Sequence, residues 1–153
     1  MNRRALLKRT LAASAVSVAA SAGLLVPGQV IAAYPKGAFE SKAVDSSLSS
    51  LLGSSAMEES GDIKIKAPDI AENGSVVPVT VSTKIANVES ITILAEANGT
   101  PLVASFDVSN AQGYVSTRIK MGKTGNVVAV VKSGGKMYTG KKEVKVTIGG
   151  CGG

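Results

Sequence analysis

The stretch that decides the fold is "VVAVVKSGGKMYTGKKEVKVTI", residues 127–148. Its first part, "VVAVVKS", is a short β-branched run with no 3.6-residue period, which reads as a buried strand. Gly134 and Gly135 follow, between Ser133 and "KMYTG". A two-residue glycine turn between two such runs is a hairpin signal, because both central residues must take positive φ. The last part alternates Val144, Val146 and Ile148 against lysines, which gives one buried and one solvated face.

Working back from there, the same pattern recurs. "DIKIKA" (62–67) puts Ile63 and Ile65 on one face. "VVPVTVST" (76–83) puts Val77, Val79 and Val81 on one face and Pro78 on the other, and a proline there predicts an edge strand. "VESITILAEA" (88–97), the turn "NGTP" (98–101) and "LVASFDV" (102–108) come next. "YVSTRIKM" (114–121) alternates Val115, Thr117, Ile119 and Met121 against charged neighbours. Ahead of the strands, "FESKAVDSSLSSLLG" (39–53) spaces Phe39, Ala43, Leu48, Leu51 and Leu52 as one amphipathic helix ending at Gly53. "SSAMEESGD" (54–62) is a polar linker. The expected fold is mainly β: an immunoglobulin-like β-sandwich of about seven strands, preceded by one short helix. It lacks the Cys…Trp…Cys hallmark, since the chain has no Trp and one Cys.

The first residues read as an address. "MNRRALLKRT" carries Arg3, Arg4, Lys8 and Arg9, and no charge follows until Lys36. A basic start, an apolar stretch and small residues at Ala32 and Ala33 make an export signal, cleaved after one or the other. Pro27 and Gly28 cut the run short of a membrane span. The predicted organisation is a leader over 1–33, helix and linker over 34–60, a β-sandwich over 61–148 and a glycine-rich arm over 149–153. Four of the seventeen lysines and arginines lie in the leader, leaving thirteen against eleven acids, a mature net charge of +2. Nucleic-acid binding therefore loses its electrostatic support.

Catalytic and metal chemistry is mostly excluded. There is no histidine, so His-based general-base catalysis and most zinc or copper sites are out. There is no CxxC motif. The acids are scattered, and Glu58 with Glu59 is the sole adjacent pair. "GKT" at 122–124 echoes a phosphate loop, but Thr117 stands where its first glycine belongs. "KTG" (123–125) and "SGGK" (133–136) echo penicillin-binding serine enzymes in reversed order. These, and the "NG" pairs at Asn73 and Asn98, read as turns. The chain is expected to be no enzyme and to hold no metal or cofactor of its own.

What remains is the end, "IGGCGG", with the single cysteine, Cys151. A lone thiol on an exported chain points to intermolecular chemistry. Glycine leaves the backbone unrestricted, and ordering such a tail costs roughly 1–2 kcal/mol per residue with nothing to bury in return. A thin arm is expected, with Cys151 standing ~10 Å beyond Ile148 at full stretch. No neighbour on the tail lowers the thiol's ordinary pKa of ~8.5. Activation should come from a partner's site, which is the logic of a covalent carrier.

"EVKVTIGGCGG" (143–153) resembles the C-terminus of the SoxY family, the sulfur-compound carrier subunits of the periplasmic thiosulfate-oxidising Sox system. "FESKAV", "IKIKAPDIAENGSVVPVTV", "NVESITILAE", "ASF", "VSTRIKM" and "VVAVVKSGGKMY" are similar to that family in the same order. "RRALLK", with Arg3, Arg4 and Lys8, resembles a twin-arginine export signal, which is an address rather than an anchor. The resemblance implies a heterodimer with SoxZ. It makes Cys151 the covalent attachment point for substrate, on an arm of Gly149, Gly150, Gly152 and Gly153. It implies passing contacts with the SoxAX cytochrome, the SoxB hydrolase and, where present, the SoxCD sulfane dehydrogenase. The competing reading is an exported structural or adhesive sandwich that forms a disulfide-linked homodimer through the tail cysteine.

Overall fold

The structure, a computed structural model, describes residues 34–147. The leader with Arg3 and Arg4, and the tail with Gly149, Gly150, Cys151, Gly152 and Gly153, lie outside the described residues. The described residues open with two short helices, α1 (Lys36–Glu40) and α2 (Val44–Leu52). Nine strands follow: β1 (Glu58–Glu59), β2 (Ile63–Lys66), β3 (Ile70–Ala71), β4 (Val77–Thr83), β5 (Val88–Ala95), β6 (Leu102–Asp107), β7 (Tyr114–Ile119), β8 (Gly125–Ser133) and β9 (Lys136–Val146).

The strands form two sheets. The larger runs β1-β9-β8-β5-β6, with β3 also on β9, and the smaller runs β2-β4-β7. Seven strands are longer than two residues, in keeping with the expected immunoglobulin-like sandwich. The hairpin at residues 133–136 forms as expected. Ser133 pairs with Lys136, and Gly134 and Gly135 take φ +56 and +76, where a side chain would clash with the backbone.

The large sheet is buried on both faces. Val127, Ala129 and Val131 face the small sheet, in one core with Ile91, Ile93, Val77, Val79 and Val81. Val128 and Val130 face the other way, with Leu94, Leu102 and Met137, under a lid made by Ala38, Leu48 and their helical neighbours. That two-sided burial is why "VVAVV" shows no alternation. The helices thus form a third layer, closing the outer face of the sheet.

Two local expectations change. The helical segment is interrupted at residues 41–43. Ser41 is extended (φ −64, ψ 139), its Oγ donates to the Gly37 carbonyl at 2.8 Å, and Ala43 is extended as well. Serine competes for backbone groups in this way, so the run breaks where the spacing suggested continuity. Gly53 ends α2 in the left-handed region (φ +82), its N–H donating to the Ser49 carbonyl. The other change concerns β4, which is the central strand of the small sheet, with β2 on one side and β7 on the other. Pro78 is tolerated because the ladder with β2 runs only from Thr80 to Thr83. At position 78 the strand has a neighbour on one side alone, Arg118 of β7, so the missing N–H deprives no partner.

Removing packed groups should therefore be costly in both cores. Leu48 is fully buried between the helices and the sheet, and Leu48→Ala should lose about 2–5 kcal/mol, read as a lower urea midpoint at unchanged m. Gly74 is a second test. A Cβ there would collide with the Met121 carbonyl and come within 2.9 Å of a Val146 methyl. Gly74→Ala should cost about 1–3 kcal/mol by overpacking, in the same urea titration.

Candidate functional site

The site is the platform from which the last residues leave the fold. Strand β9 is paired on both edges over much of its length. On one side β8 runs antiparallel to it from Ser133↔Lys136 to Gly125↔Val144. On the other, two short strands run parallel to it: β1 at Tyr138 and Thr139, and β3 at Lys145 and Val146. The linker read as merely polar thus contributes β1, and Met57 within it packs on the helix-side core.

The last three described N–H groups are all satisfied. Lys145 N–H donates to the Asp69 carbonyl at 2.9 Å and Thr147 N–H to the Ala71 carbonyl at 3.1 Å. Between them, Val146 N–H points the other way and donates to Thr124 Oγ1 at 2.9 Å. Residues 145–147 are therefore held from both sides, by the β2–β3 segment and by the β7–β8 turn. Val144 is fully buried and anchors this end in the main core. Gly74 lies against Val146, and its carbonyl accepts from Met121 N–H at 2.7 Å. Each net hydrogen bond adds only ~0.5–1.5 kcal/mol, but their geometry fixes where the chain emerges and in which direction.

Two lysines of this strand, Lys141 and Lys142, are occupied. Lys142 Nζ lies 3.1 Å from Asp69 Oδ1 and donates to the Ala67 carbonyl at 2.7 Å. Lys141 Nζ lies 3.4 Å from Glu96 Oε1. Both serve the frame. Among the described residues no group of three His, Cys, Asp or Glu side chains could hold a metal ion. No described helix is long and apolar enough to cross a membrane.

The motifs set aside as turns are turns. Gly122, Lys123 and Thr124 join β7 to β8, and Asn73 and Asn98 sit in bends between strands. Two of them also have positions that spacing did not reveal. Thr124 is the acceptor for Val146 N–H. Asn98 bridges two turns, its Nδ2 donating to the Lys120 carbonyl at 2.7 Å and its Oδ1 accepting from Gly122 N–H at 2.9 Å. Neither role has a sequence signal, because both partners lie more than twenty positions away.

Comparison with known proteins bears on this platform directly. The family model described as "Sulfur oxidation protein SoxY" matches residues 48–151, a span that includes Cys151. Among solved structures, the sulfur carrier protein SoxY from Chlorobium limicola f thiosulfatophilum is 50% identical with a TM-score of 0.62, covering 68% of this chain and 96% of that one. A chain from a structure of T-cell activation by the superantigen toxic shock syndrome toxin-1 overlaps at a TM-score of 0.41 and 10% identity, over 56% of this chain and 99% of that one. The comparison with curated proteins returned no match. With two thirds of its length matched by the family model and 50% identity to a sulfur carrier over the aligned 68% of the chain, the chain belongs to the SoxY family of sulfur carrier proteins.

Proposed function

We propose that this protein holds sulfur intermediates covalently on Cys151 and presents them to partner enzymes, catalysing no step itself. The observation that carries the reading is the likeness to the Chlorobium carrier over 96% of that chain, together with a family match that runs through position 151. The platform supports it. A firmly held exit at Thr147, four positions before the single thiol, suits a short arm that must enter other proteins' sites. Glycines at 149, 150, 152 and 153 keep that arm narrow.

In the proposed cycle, the Cys151 thiolate joins the outer sulfur of thiosulfate. One S–S bond forms and two electrons pass to the haem of a SoxAX-type partner, leaving a cysteine-bound thiosulfonate. Water then attacks the terminal sulfonate sulfur in a SoxB-type hydrolase. Sulfate and two protons leave, and a persulfide stays on Cys151. A SoxCD-type dehydrogenase, where present, would oxidise that remaining sulfur. Throughout, this chain supplies the attachment atom, the reach and the orientation, while the partners supply the chemistry. SoxZ is the proposed heterodimer partner. Arg3 and Arg4 are the proposed export signal, delivering the chain to the periplasm by the twin-arginine route.

Replacing Cys151 by Ser should abolish thiosulfate-dependent activity of the reconstituted system while leaving the unfolding midpoint unchanged. Intact mass of periplasmic protein from cells consuming thiosulfate, without reductant, should show thiol-reversible additions at Cys151. It should also show a mature start at Ala33 or Tyr34. Full activity of Cys151→Ser, or a disulfide dimer as the sole modified form, would overturn the carrier reading.

A further inference from the structure

Three lysines from two separate parts of the chain meet at one cleft beside this platform. Lys42 comes from the break between α1 and α2, and Lys120 and Lys123 come from the β7–β8 turn. Asn98 and Thr100, in the β5–β6 turn, add polar groups to the lining, the rest of it is Ala97, Gly99 and Gly122, and no acidic side chain contributes. The cleft is built rather than incidental. The Asn98 amide ties its two turns together through the Lys120 carbonyl and the Gly122 N–H.

Its positive charge is uncompensated. The four ion pairs among the described residues use Lys36, Lys132, Lys141 and Lys142. Glu96, next in sequence to the cleft wall, is held by Lys141 at 3.4 Å and by Asn126 Nδ2 at 2.9 Å. Three lysines lining an acid-free hollow suit a compact oxyanion with several acceptor oxygens.

The cleft adjoins the exit of the chain. Thr124, which holds Val146, directly follows Lys123. Cys151 lies five residues past Val146, so its sulfur has a ceiling of ~17 Å of reach at ~3.3–3.6 Å per residue. A group tethered over that length has an effective concentration in the millimolar range. That is enough to fill a solvated site which a free anion would occupy only weakly, given screening at ordinary ionic strength.

We propose that the cleft framed by Lys42, Lys120 and Lys123 binds a sulfur oxyanion, namely the sulfonate end of the cargo carried on Cys151. The proposal rests on the carrier reading for its source of ligand. It gives the loaded arm a resting place on its own protein: three sulfonate oxygens face three ammonium groups, and the labile S–S bond lies along the surface between visits. Removal of the sulfonate as sulfate would take away the group that docks, and so release the arm.

The test uses the full mature chain labelled with nitrogen-15, with amide shifts read at Lys42, Asn98, Gly99, Lys120 and Lys123. In one arm, the Cys151 thiolate is treated with tetrathionate. It forms the cysteine S–S bond and expels thiosulfate, giving the thiosulfonate adduct, whose formation is verified by mass. In the other, Cys151→Ser is titrated with sodium thiosulfate at constant ionic strength. The adduct should shift the five amides independently of protein concentration, and the shift should vanish in Lys42→Gln/Lys120→Gln/Lys123→Gln, whose neutral side chains leave the turns intact. Free thiosulfate should shift the same five, and only at millimolar concentration. A response to free thiosulfate without one to the adduct would support the oxyanion site but overturn the arm as its source. Shifts in both arms no larger than those at Lys64, Lys66 and Lys136 would overturn the site. The adduct is made chemically, so these outcomes do not depend on whether Cys151 is loaded during turnover, which the mass measurement on cells decides separately.

Discussion

The structure depends on the double-sided hydrogen bonding of β9. A C-terminal strand is ordinarily free to fray, because its last N–H and C=O groups meet water at little cost. Here β8 takes one edge, and β1 and β3 take opposite ends of the other. Fraying the end of β9 would require breaking contacts on both sides at once. That clamp sets where the described backbone ends, at Thr147.

The clamp is in turn held by a sheet with two apolar faces. β5 and β8 supply residues to both cores, so neither core can loosen without disturbing the other. The helical layer matters for this reason. Without α1 and α2, Leu94, Val128 and Val130 would leave an apolar face open to water, at roughly 25 cal/mol for each Å² exposed. An antiparallel sheet commonly keeps one face wet. This one keeps neither, and in exchange gains a stiff central pair of strands beneath the exit of the chain.

Charge is arranged to match. On β9, Lys142 is paired with Asp69 and Lys141 with Glu96. Three further lysines, Lys42, Lys120 and Lys123, line one cleft on turns beside it. A cationic hollow beside the platform suits the proposed carriage of anionic sulfur groups. In that proposal the rigid part provides direction, and the charged part a place for the cargo to rest.

By itself the sequence determined most of the strands, the glycine hairpin and the lone terminal thiol. Period-two alternation and paired glycines act between near neighbours and so remain visible along the chain. The family, too, was legible from short segments in order. Only the tertiary structure decided the rest. Glu58–Glu59 and Ile70–Ala71 are strands because β9 is beside them, and two residues carry no period of their own. Pro78 lies on a central strand because β2 stops short of it, which is a matter of register between strands. The helical run breaks at Ser41 through a bond to Gly37 that competes with the helix. Lys42, Asn98 and Lys120 share one cleft although they are spread over some eighty positions. Each of these depends on which distant backbone comes alongside, and that is set by how the two sheets and the helical layer bury their faces together.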